Sequence, residues 1–251
     1  MSPGAVLITG GGSRRGIGRA TALRFGADGY AVGVLDIDAD AAADTARQAK
    51  ESGSPHVYSG YVDVTDAGSV TDAVRAAEAA LPPITVLAPI AGISSPTRFE
   101  NITLDEWERI FAVNVRGTFL VIQAVLPGLR ARGYGRIVTM ASVSGQRGGG
   151  VFGASHYSAS KAAILGLTKT LARELDGQGV TINAVAPGMV DTDITRGAMT
   201  AERKAELAAA TLLGRLATPA DVAGTIAFLA SPDAAYLTGA TIDVNGGSHL
   251  H

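Results

Sequence analysis

Thr9-Gly-Gly-Gly-Ser-Arg-Arg-Gly-Ile-Gly18 is the stretch that decides the fold. The apolar run Ala5–Thr9 leads into it, and an Ala-rich helical segment near residues 16–28 follows it. Glycines let a strand turn sharply into a helix and let backbone N–H groups approach a pyrophosphate at the helix N-terminus. An ordinary loop can have the same composition. The position between a strand and a helix nevertheless favours a dinucleotide-binding turn.

Short β-branched runs and longer helical segments alternate along the rest of the chain. Apolar residues fill both faces of these runs, which is typical of a parallel sheet covered on both sides. The sequence predicts strands at Ala5–Thr9, Ala31–Leu35, Val57–Val62, Thr85–Ala88, Arg136–Met140, Thr181–Val185 and Thr241–Val244. It predicts helices near 16–28, 39–52, 67–81, 105–130, 157–176 and 219–230. We therefore expect an α/β fold: a single Rossmann-type doubly wound domain over residues 1–251, with a mainly parallel seven-stranded sheet flanked by helices.

Composition excludes several classes of function. The 251-residue chain has a net charge of −2, which gives no general attraction to nucleic acid or to an anionic membrane. It contains no cysteine, and the spacing of His56, His156, His249 and His251 predicts no metal site. We expect no apolar run of membrane-spanning length and no signal-like leader, so the prediction is a cytoplasmic protein.

Asp36 ends the second predicted strand and bears on the choice of dinucleotide. A carboxylate at this place accepts hydrogen bonds from adenosine ribose hydroxyls and repels a 2′-phosphate. Arg14 and Arg15 act in the other direction, because an arginine beside that pocket can pair with a 2′-phosphate. Asp36 could also be a polar loop residue or a helix cap. We predict NAD as the cofactor, with NADP left open.

Tyr157 and Lys161 form the most informative pair of side chains. They stand four residues apart at the beginning of a predicted helix, so both lie on one helix face. A nearby ammonium group favours the phenolate and brings a tyrosine pKa, ordinarily ~10, closer to neutral pH. This pair is typical of an acid/base device for interconverting an alcohol and a carbonyl compound, although an exposed tyrosine on a solvated helix would show the same spacing.

The chain resembles the short-chain dehydrogenase/reductase family along its whole length. The order and the approximate spacing of its motifs match the family, and their joint occurrence is far more specific than any one of them. They are the glycine turn, Asp63-Val64, Ala91-Gly92, Asn114, Ser142, Tyr157-Ser-Ala-Ser-Lys161, Pro187-Gly188, Phe228-Leu-Ala-Ser231, Thr238-Gly239 and Val244-Asn-Gly-Gly247. The resemblance implies an NAD(P)-dependent oxidoreductase that interconverts a secondary alcohol and a ketone by hydride transfer.

The resemblance also implies a catalytic role for four residues. Tyr157 would be the general acid in reduction and the general base in oxidation. Ser142 would hydrogen-bond the substrate oxygen, with Ser144 as its nearest rival for that role. Lys161 would bind the nicotinamide ribose and lower the Tyr157 pKa, and Asn114 would hold a water that relays protons through Lys161.

Cofactor contacts are implied at the ends of several strands. Asp63 and Val64 would meet the adenine, Ala91 and Gly92 would pass the adenosine ribose, and the Val190 backbone with the Thr192 hydroxyl would hold the carboxamide. The full expected set is Gly10, Gly12, Arg15, Gly16, Ile17, Gly18, Asp36, Asp63, Val64, Ala91, Gly92, Tyr157, Lys161, Pro187, Gly188, Val190 and Thr192. Each of the turn residues could equally be an ordinary strand-end residue.

Two segments depart from the family pattern. The glycine turn is two residues longer than usual, so which glycine contacts the pyrophosphate stays open. The family's Asn-Asn-Ala-Gly is Pro89-Ile-Ala-Gly92 here, so both asparagine side chains are missing and Pro89 ends the strand ladder. We expect altered bracing of the sheet beside the cofactor.

Two alternative functions are compatible with the sequence. One is a 3-oxoacyl carrier-protein reductase using NADPH, for which Arg130, Arg132 and Arg173 could form a docking patch; Gln178, where those reductases usually carry a docking arginine, argues against it. The other is a catalytically silent dinucleotide-binding protein.

Residues 191–216 are expected to form a mobile substrate lid, since the family keeps one there. It mixes apolar and basic residues: Ile194, Met199, Leu207, Leu212 and Leu213 with Arg196, Arg203 and Lys204. The expected partners are a small-molecule alcohol or ketone and further copies of the chain, in a homotetramer or homodimer built on the helices near 105–130 and 157–176. A stripe buried inside one chain would give these helices the same composition.

Overall fold

A computed structural model describes residues 4–149, 153–195 and 200–250. Its strands form one parallel sheet in the order β3-β2-β1-β4-β5-β6-β7. The strands are β1 Ala5–Thr9, β2 Ala31–Asp36, β3 Val57–Tyr61, β4 Ile84–Pro89, β5 Gly135–Met140, β6 Val180–Pro187 and β7 Thr241–Val244. The predicted doubly wound α/β fold is confirmed.

Helices cover both faces of the sheet. They are α1 Ile17–Ala27, α2 Ala39–Glu51, α3 Ala67–Ala80, α4 Leu104–Phe111, α5 Gly117–Arg132, α6 Val143–Arg147, α7 Ser155–Glu174, α8 Ala201–Ala209 and α9 Pro219–Ala230. The helix predicted near 105–130 is interrupted by a π-helical turn at Ala112–Arg116 that separates α4 from α5. The sequence pattern did not predict the short helices α6 and α8.

Alternate residues of each central strand pack into two separate apolar layers. In β1, Ala5 and Leu7 pack in the layer that contains α3 and α5, whereas Val6 and Ile8 pack in the layer that contains α1, α2 and α9. Every residue of β1 is buried. Burial on both faces explains why the strand sequence is continuously apolar instead of alternating.

The order of the strands reverses at β1, and this reversal places the site. β1 lies between β2 and β4, so the chain leaves β1 toward one side of the sheet and returns through β4 on the other. The segments that follow the two strands therefore separate at their carboxyl ends. A crevice at that point is where ligands bind in open α/β sheets.

The helical stretch Leu104–Arg132 is long and apolar enough to cross a membrane by length and composition alone. The expectation that no apolar run approaches this length was therefore wrong, because α4, the π turn and α5 continue one another. Val121, Ile122, Val125 and Leu129 of α5 pack into the core against β4 and β5. A helix buried in the core of a protein can have the same length and the same apolar composition.

Candidate active site

A cleft of about 1000 Å³ opens at the carboxyl ends of the strands. Its volume lies at the top of the range of roughly 300–1,000 Å³ for small-molecule and cofactor sites. The predicted residues that line it are Gly10, Gly16, Ile17, Gly18, Asp36, Asp63, Val64, Ala91, Gly92, Ser142, Tyr157, Lys161, Pro187, Gly188, Val190 and Thr192. Gly12, Arg15 and Asn114 do not line the cleft, and their contacts are described below.

Close backbone contacts decide which glycines of the turn face the cleft. Gly10 has φ +76°, and a Cβ there would lie 2.6 Å from the Ala91 backbone. A Cβ on Gly18 would lie 2.3 Å from the Gly10 carbonyl oxygen. Gly12 is buried and faces away, and its N–H donates to Asp36 Oδ2 at 2.7 Å. The turn thus presents Gly10, Gly16 and Gly18 to the cleft, while Gly11 and Gly12 are buried.

Asp36 stands at the end of β2 with its carboxylate toward the glycine turn. One oxygen accepts the Gly12 N–H, and the other accepts the Asp38 N–H at 3.1 Å. These contacts fix the carboxylate at the edge of the cleft, where Asp36 and Ile37 both form part of the wall. A fixed negative charge at this point attracts hydroxyl donors and repels phosphate.

Arg15 is directed away from Asp36 and toward the segment after β6. Its guanidinium binds the Asp191 carboxylate, which also accepts from Lys204 Nζ at 2.9 Å. Asp193 Oδ2 accepts from the Arg15 backbone N–H and from Ser13 Oγ, each at 3.0 Å. The expected lid is thus joined to the glycine turn through two carboxylates that the sequence did not single out.

Tyr157, Ser142 and Lys161 meet at the centre of the cleft. Tyr157 lies in the first turns of α7 and Ser142 caps the N-terminus of α6, where its Oγ accepts from Ser144 N at 3.1 Å. Burial raises the pKa of Tyr157 above its usual value of 10, against an opposing hydrogen bond with Ser142. Ser144, the rival of Ser142, also lines the cleft.

Burial, and not Lys161, is the main influence on the Tyr157 pKa in this structure, so the lowering expected from the spacing stays a prediction. Its Nζ donates to the Met140 carbonyl oxygen at 2.8 Å and lies 5.8 Å from the centre of the Tyr157 ring. Burial also lowers the pKa of Lys161 itself to about 8. The ammonium is directed at a backbone carbonyl, and desolvation is the largest influence on both groups.

The buried ammonium of Lys161 makes stability depend on pH. Its folded-state pKa of about 8 lies below the ordinary 10.5, so between these values the unfolded chain binds more protons at this residue. We expect the stability of the parent chain, measured relative to Lys161→Met, to rise between pH 8 and 10 by up to ~1.4 kcal/mol per pH unit. Urea unfolding of both chains measures this difference, and a flat or falling difference would contradict the burial argument.

Asn114 lies behind the cleft and holds the segment that follows β4. Its Oδ1 accepts from Ile93 N at 2.9 Å, and its Nδ2 donates to Ile93 O at 3.0 Å and to Ser160 Oγ at 3.0 Å. The π turn at Ala112–Arg116 carries this side chain, which is 1% exposed. π turns inside helices are frequent at functional sites.

Thr9 supplies bracing where the family's two asparagines are missing. Pro89 is the last residue of β4 and pairs in register with Thr9. Beyond it, Ile90 N donates to the Thr9 carbonyl at 3.2 Å, and Ala91 N lies 3.5 Å from Thr9 Oγ1. These two contacts of Thr9 connect the end of β1 with the segment after β4, in the region where the sequence predicted altered bracing.

The expected lid contributes apolar walls to the cleft. Ile194 lies in a short 3-10 turn after β6, and Leu207, with Ala210 and Thr211, lies in or just after α8. Arg196 and Met199 lie outside the described residues. Arg109 and Arg147 also line the cleft, and neither was singled out from the sequence.

Known proteins match the chain over nearly its whole length. The family model described as enoyl-(acyl carrier protein) reductase matches residues 10–249. An uncharacterised short-chain dehydrogenase/reductase of Sinorhizobium fredii is 43% identical over 98% of this chain and 97% of its own length. An acetoacetyl-CoA reductase of Rhizobium meliloti is 38% identical over 97% of this chain and 98% of its own length.

Solved structures agree with these relatives. The crystal structure of a 3-oxoacyl-[acyl-carrier protein] reductase from Brucella melitensis superposes with a TM-score of 0.90 at 34% identity, covering 98% of this chain and 91% of that one. Catalytic oxidoreductases thus share both the sequence and the fold, which confirms the prediction of an enzyme. The chain belongs to the short-chain dehydrogenase/reductase family and is an oxidoreductase that interconverts secondary alcohols and ketones with a nicotinamide dinucleotide.

Proposed function

We propose that Tyr157 is the acid/base of this oxidoreductase, with Ser142 binding the substrate oxygen and Lys161 and Asn114 supporting the site. The observation that carries the proposal is the meeting of Tyr157, Ser142 and Lys161 in one cleft between the glycine turn and α8. When bound, the nicotinamide supplies or accepts the hydride. The proton and the position of the oxygen depend on residues of the chain.

The raised pKa of Tyr157 suits reduction. A phenol that keeps its proton at neutral pH can donate it to the oxygen of a ketone as charge develops there. Ser142, which hydrogen-bonds with Tyr157 in the free chain, can turn its single hydroxyl proton to the same substrate oxygen when the ketone binds. In oxidation, Tyr157 must first lose its own proton, and the phenolate oxygen then takes the proton from the alcohol.

The glycine turn and Asp36 support NAD in preference to NADP. Gly10, Gly16 and Gly18 would hold the pyrophosphate, and Lys161 would bind the nicotinamide ribose beside Gly92, where a Cβ would lie 3.5 Å from Lys161 Nζ. Asp36 would receive the adenosine ribose hydroxyls. Of the two arginines that could favour a 2′-phosphate, Arg15 is bound to Asp191 instead, and Arg14 does not line the cleft.

Asp36→Ala is expected to shift selectivity toward NADPH. Removing the carboxylate removes both an acceptor for ribose hydroxyls and a repulsive charge, so the ratio of kcat/KM for NADH over NADPH should fall by about 10-fold or more. Steady-state rates with both reductants measure the ratio. Asp40→Ala is the control, because it removes an exposed carboxylate nearby that does not line the cleft. Unchanged selectivity in Asp36→Ala would exclude this role for Asp36.

A 3-oxoacyl thioester is a second candidate substrate, favoured by one feature of the cleft. Arg109 and Arg147 line it, and neither forms an ion pair with any other residue that the structure describes. Arg147 Nη1 donates to the Ser248 carbonyl oxygen at 2.8 Å, a neutral partner that leaves the positive charge uncompensated. Guanidinium groups without a carboxylate partner suit the phosphates of a coenzyme or carrier arm. Two of the similar proteins are named for acetoacetyl-CoA and for 3-oxoacyl carrier protein.

Reduction of a ketone panel tests the proposed function. The parent chain is mixed with NADH or NADPH and with acetoacetyl-CoA, an uncharged 3-oxo ester or a cyclic ketone, and loss of the reduced nicotinamide is followed by absorbance. Oxidation of NADH by at least one ketone supports the proposal. Turnover of acetoacetyl-CoA alone favours the thioester, and a clear preference for NADPH would contradict the assignment of Asp36.

We propose in addition that the chain forms a homodimer or homotetramer through α4, α5 and α7. Phe99, Leu104 and Phe119 are exposed large apolar side chains in or beside these helices. Apolar groups that cluster on a surface are typical of a protein interface.

A further inference from the structure

A polar cluster outside the cleft joins α4, α7 and the segment that follows β4. Glu106 of α4 accepts a short hydrogen bond from Ser95 Oγ, and the same Oε1 lies 3.3 Å from His156 Nε2. Hydrogen bonds with Ser95 and Thr97 hold the pKa of Glu106 below its ordinary value, and His156 adds to the effect. The carboxylate of α4 is therefore the shared acceptor for two other elements, the segment after β4 and α7.

The cluster lies directly against two walls of the cleft. Ser95 follows Ile93 and Ser94, which line the cleft, and its carbonyl oxygen accepts from Ala154 N at 2.9 Å. His156 immediately precedes Tyr157. The Glu106 carboxylate thus connects the wall on the side of Ser94 with the first turn of α7, which carries the proposed proton donor.

The contacts of His156 indicate which tautomer it adopts. The side chain is fully buried, and its Nδ1 has no hydrogen-bond partner among the described residues. A buried N–H without an acceptor costs more than a bare ring nitrogen, so we assign the proton to Nε2, where Glu106 accepts it. The imidazole then acts as a donor that spans from α7 to α4.

We propose that Glu106 and His156 are positioning residues that set the distance between Tyr157 and the substrate-side wall at Ser94. The proposal rests on the proposed role of Tyr157. Neither residue lines the cleft, so they act on the reaction through Tyr157 and the segment 93–97. The cofactor-binding turn lies on other elements and is not joined to the cluster by any contact of Glu106 or His156 within the described ranges.

Removal of either partner should separate catalysis from cofactor binding. In Glu106→Ala and His156→Leu, we expect kcat for ketone reduction to fall by about 10-fold or more, because a displacement of ~1 Å is enough to slow proton transfer strongly. The Kd for NADH, from fluorescence titration, should stay within about 2-fold of the parent value. The double variant should be no slower than the worse single variant, since both remove the same link.

A conservative variant distinguishes positioning from general folding. In His156→Gln, an amide N–H can take the place of Nε2–H, and we expect it to recover most of the lost kcat. Glu108→Ala is the matched control, since it removes an exposed carboxylate from the same helix. If Glu106→Ala does not fold, Glu106→Leu removes the acceptor oxygens while it keeps a side chain of similar bulk, and it provides the same comparison.

Three outcomes would overturn the proposal. They are an unchanged kcat in both Glu106→Ala and His156→Leu, a proportional loss of kcat and NADH affinity, and no recovery in His156→Gln. Tyr157→Phe is assayed alongside to test the underlying function separately. If Tyr157→Phe is fully active, the role of Tyr157 is wrong; if it is inactive while Glu106→Ala is fully active, only the positioning role is wrong.

Discussion

Tyr157→Phe is expected to lower kcat for ketone reduction by about 10³-fold while the Kd for NADH stays nearly unchanged. The substitution removes only the hydroxyl that donates the proton. The ring keeps its packing, because the chain at Gly153 passes so close to it that a Cβ there would lie 2.3 Å from Tyr157 Cδ1. Single-turnover rates measure the loss, and fluorescence titration measures NADH binding.

Tyr61→Phe is the control for this substitution. It removes a phenol hydroxyl from the exposed edge strand β3, away from the cleft lining. A wild-type rate in Tyr157→Phe would mean that another group donates the proton. A proportional loss of NADH binding would instead mean that the hydroxyl holds the dinucleotide.

Gly18→Ala is expected to weaken NADH binding by about 100-fold. A Cβ at residue 18 would lie 2.3 Å from the Gly10 carbonyl oxygen and 2.9 Å from Gly11 Cα, and both are backbone atoms. Relief requires the turn to open at the N-terminus of α1, where the backbone N–H groups would meet the pyrophosphate. Overpacking of this kind costs up to ~3 kcal/mol, which corresponds to about 100-fold in affinity.

Gly224→Ala tests whether the effect belongs to the turn. Gly224 lies within α9, and a Cβ there meets only the end of the Arg24 side chain at 3.6 Å. Alanine is favoured over glycine in helices, so we expect unchanged NADH affinity and equal or higher thermal stability. NADH affinity in Gly18→Ala that matches the parent value would mean that the dinucleotide does not depend on this turn.

The sheet could be predicted from sequence because burial on both faces leaves a local signal. Each predicted strand begins and ends within two residues of the observed one, and the glycine turn marked the point where the strand order reverses. The π turn around Asn114 left no such signal. The Asn114 side chain forms hydrogen bonds with Ile93 and Ser160, and these contacts exist only after distant segments have packed together.

Contacts between distant segments also explain what was missed in the site. The spacing of Tyr157 and Lys161 correctly placed both side chains at the cleft but not the direction of the ammonium, which Met140 on β5 determines. Glu106, Asp191 and Asp193 are ordinary charged residues in the sequence. Only the fold brings them to His156, Arg15 and Ser13.

The seam between α6 and α7 has a consequence for protein engineering. A Cβ on Gly145 would lie 2.6 Å from the Lys161 backbone carbon and 2.7 Å from Ala162 N, so the two helices touch main chain to main chain. Because Ser142 caps one helix and Tyr157 and Lys161 lie on the other, a side chain at 145 would separate them. Mutant libraries that seek new substrates should therefore keep residue 145 as glycine and vary Leu207, Ala210 and Thr211, which line the cleft and lie outside this seam.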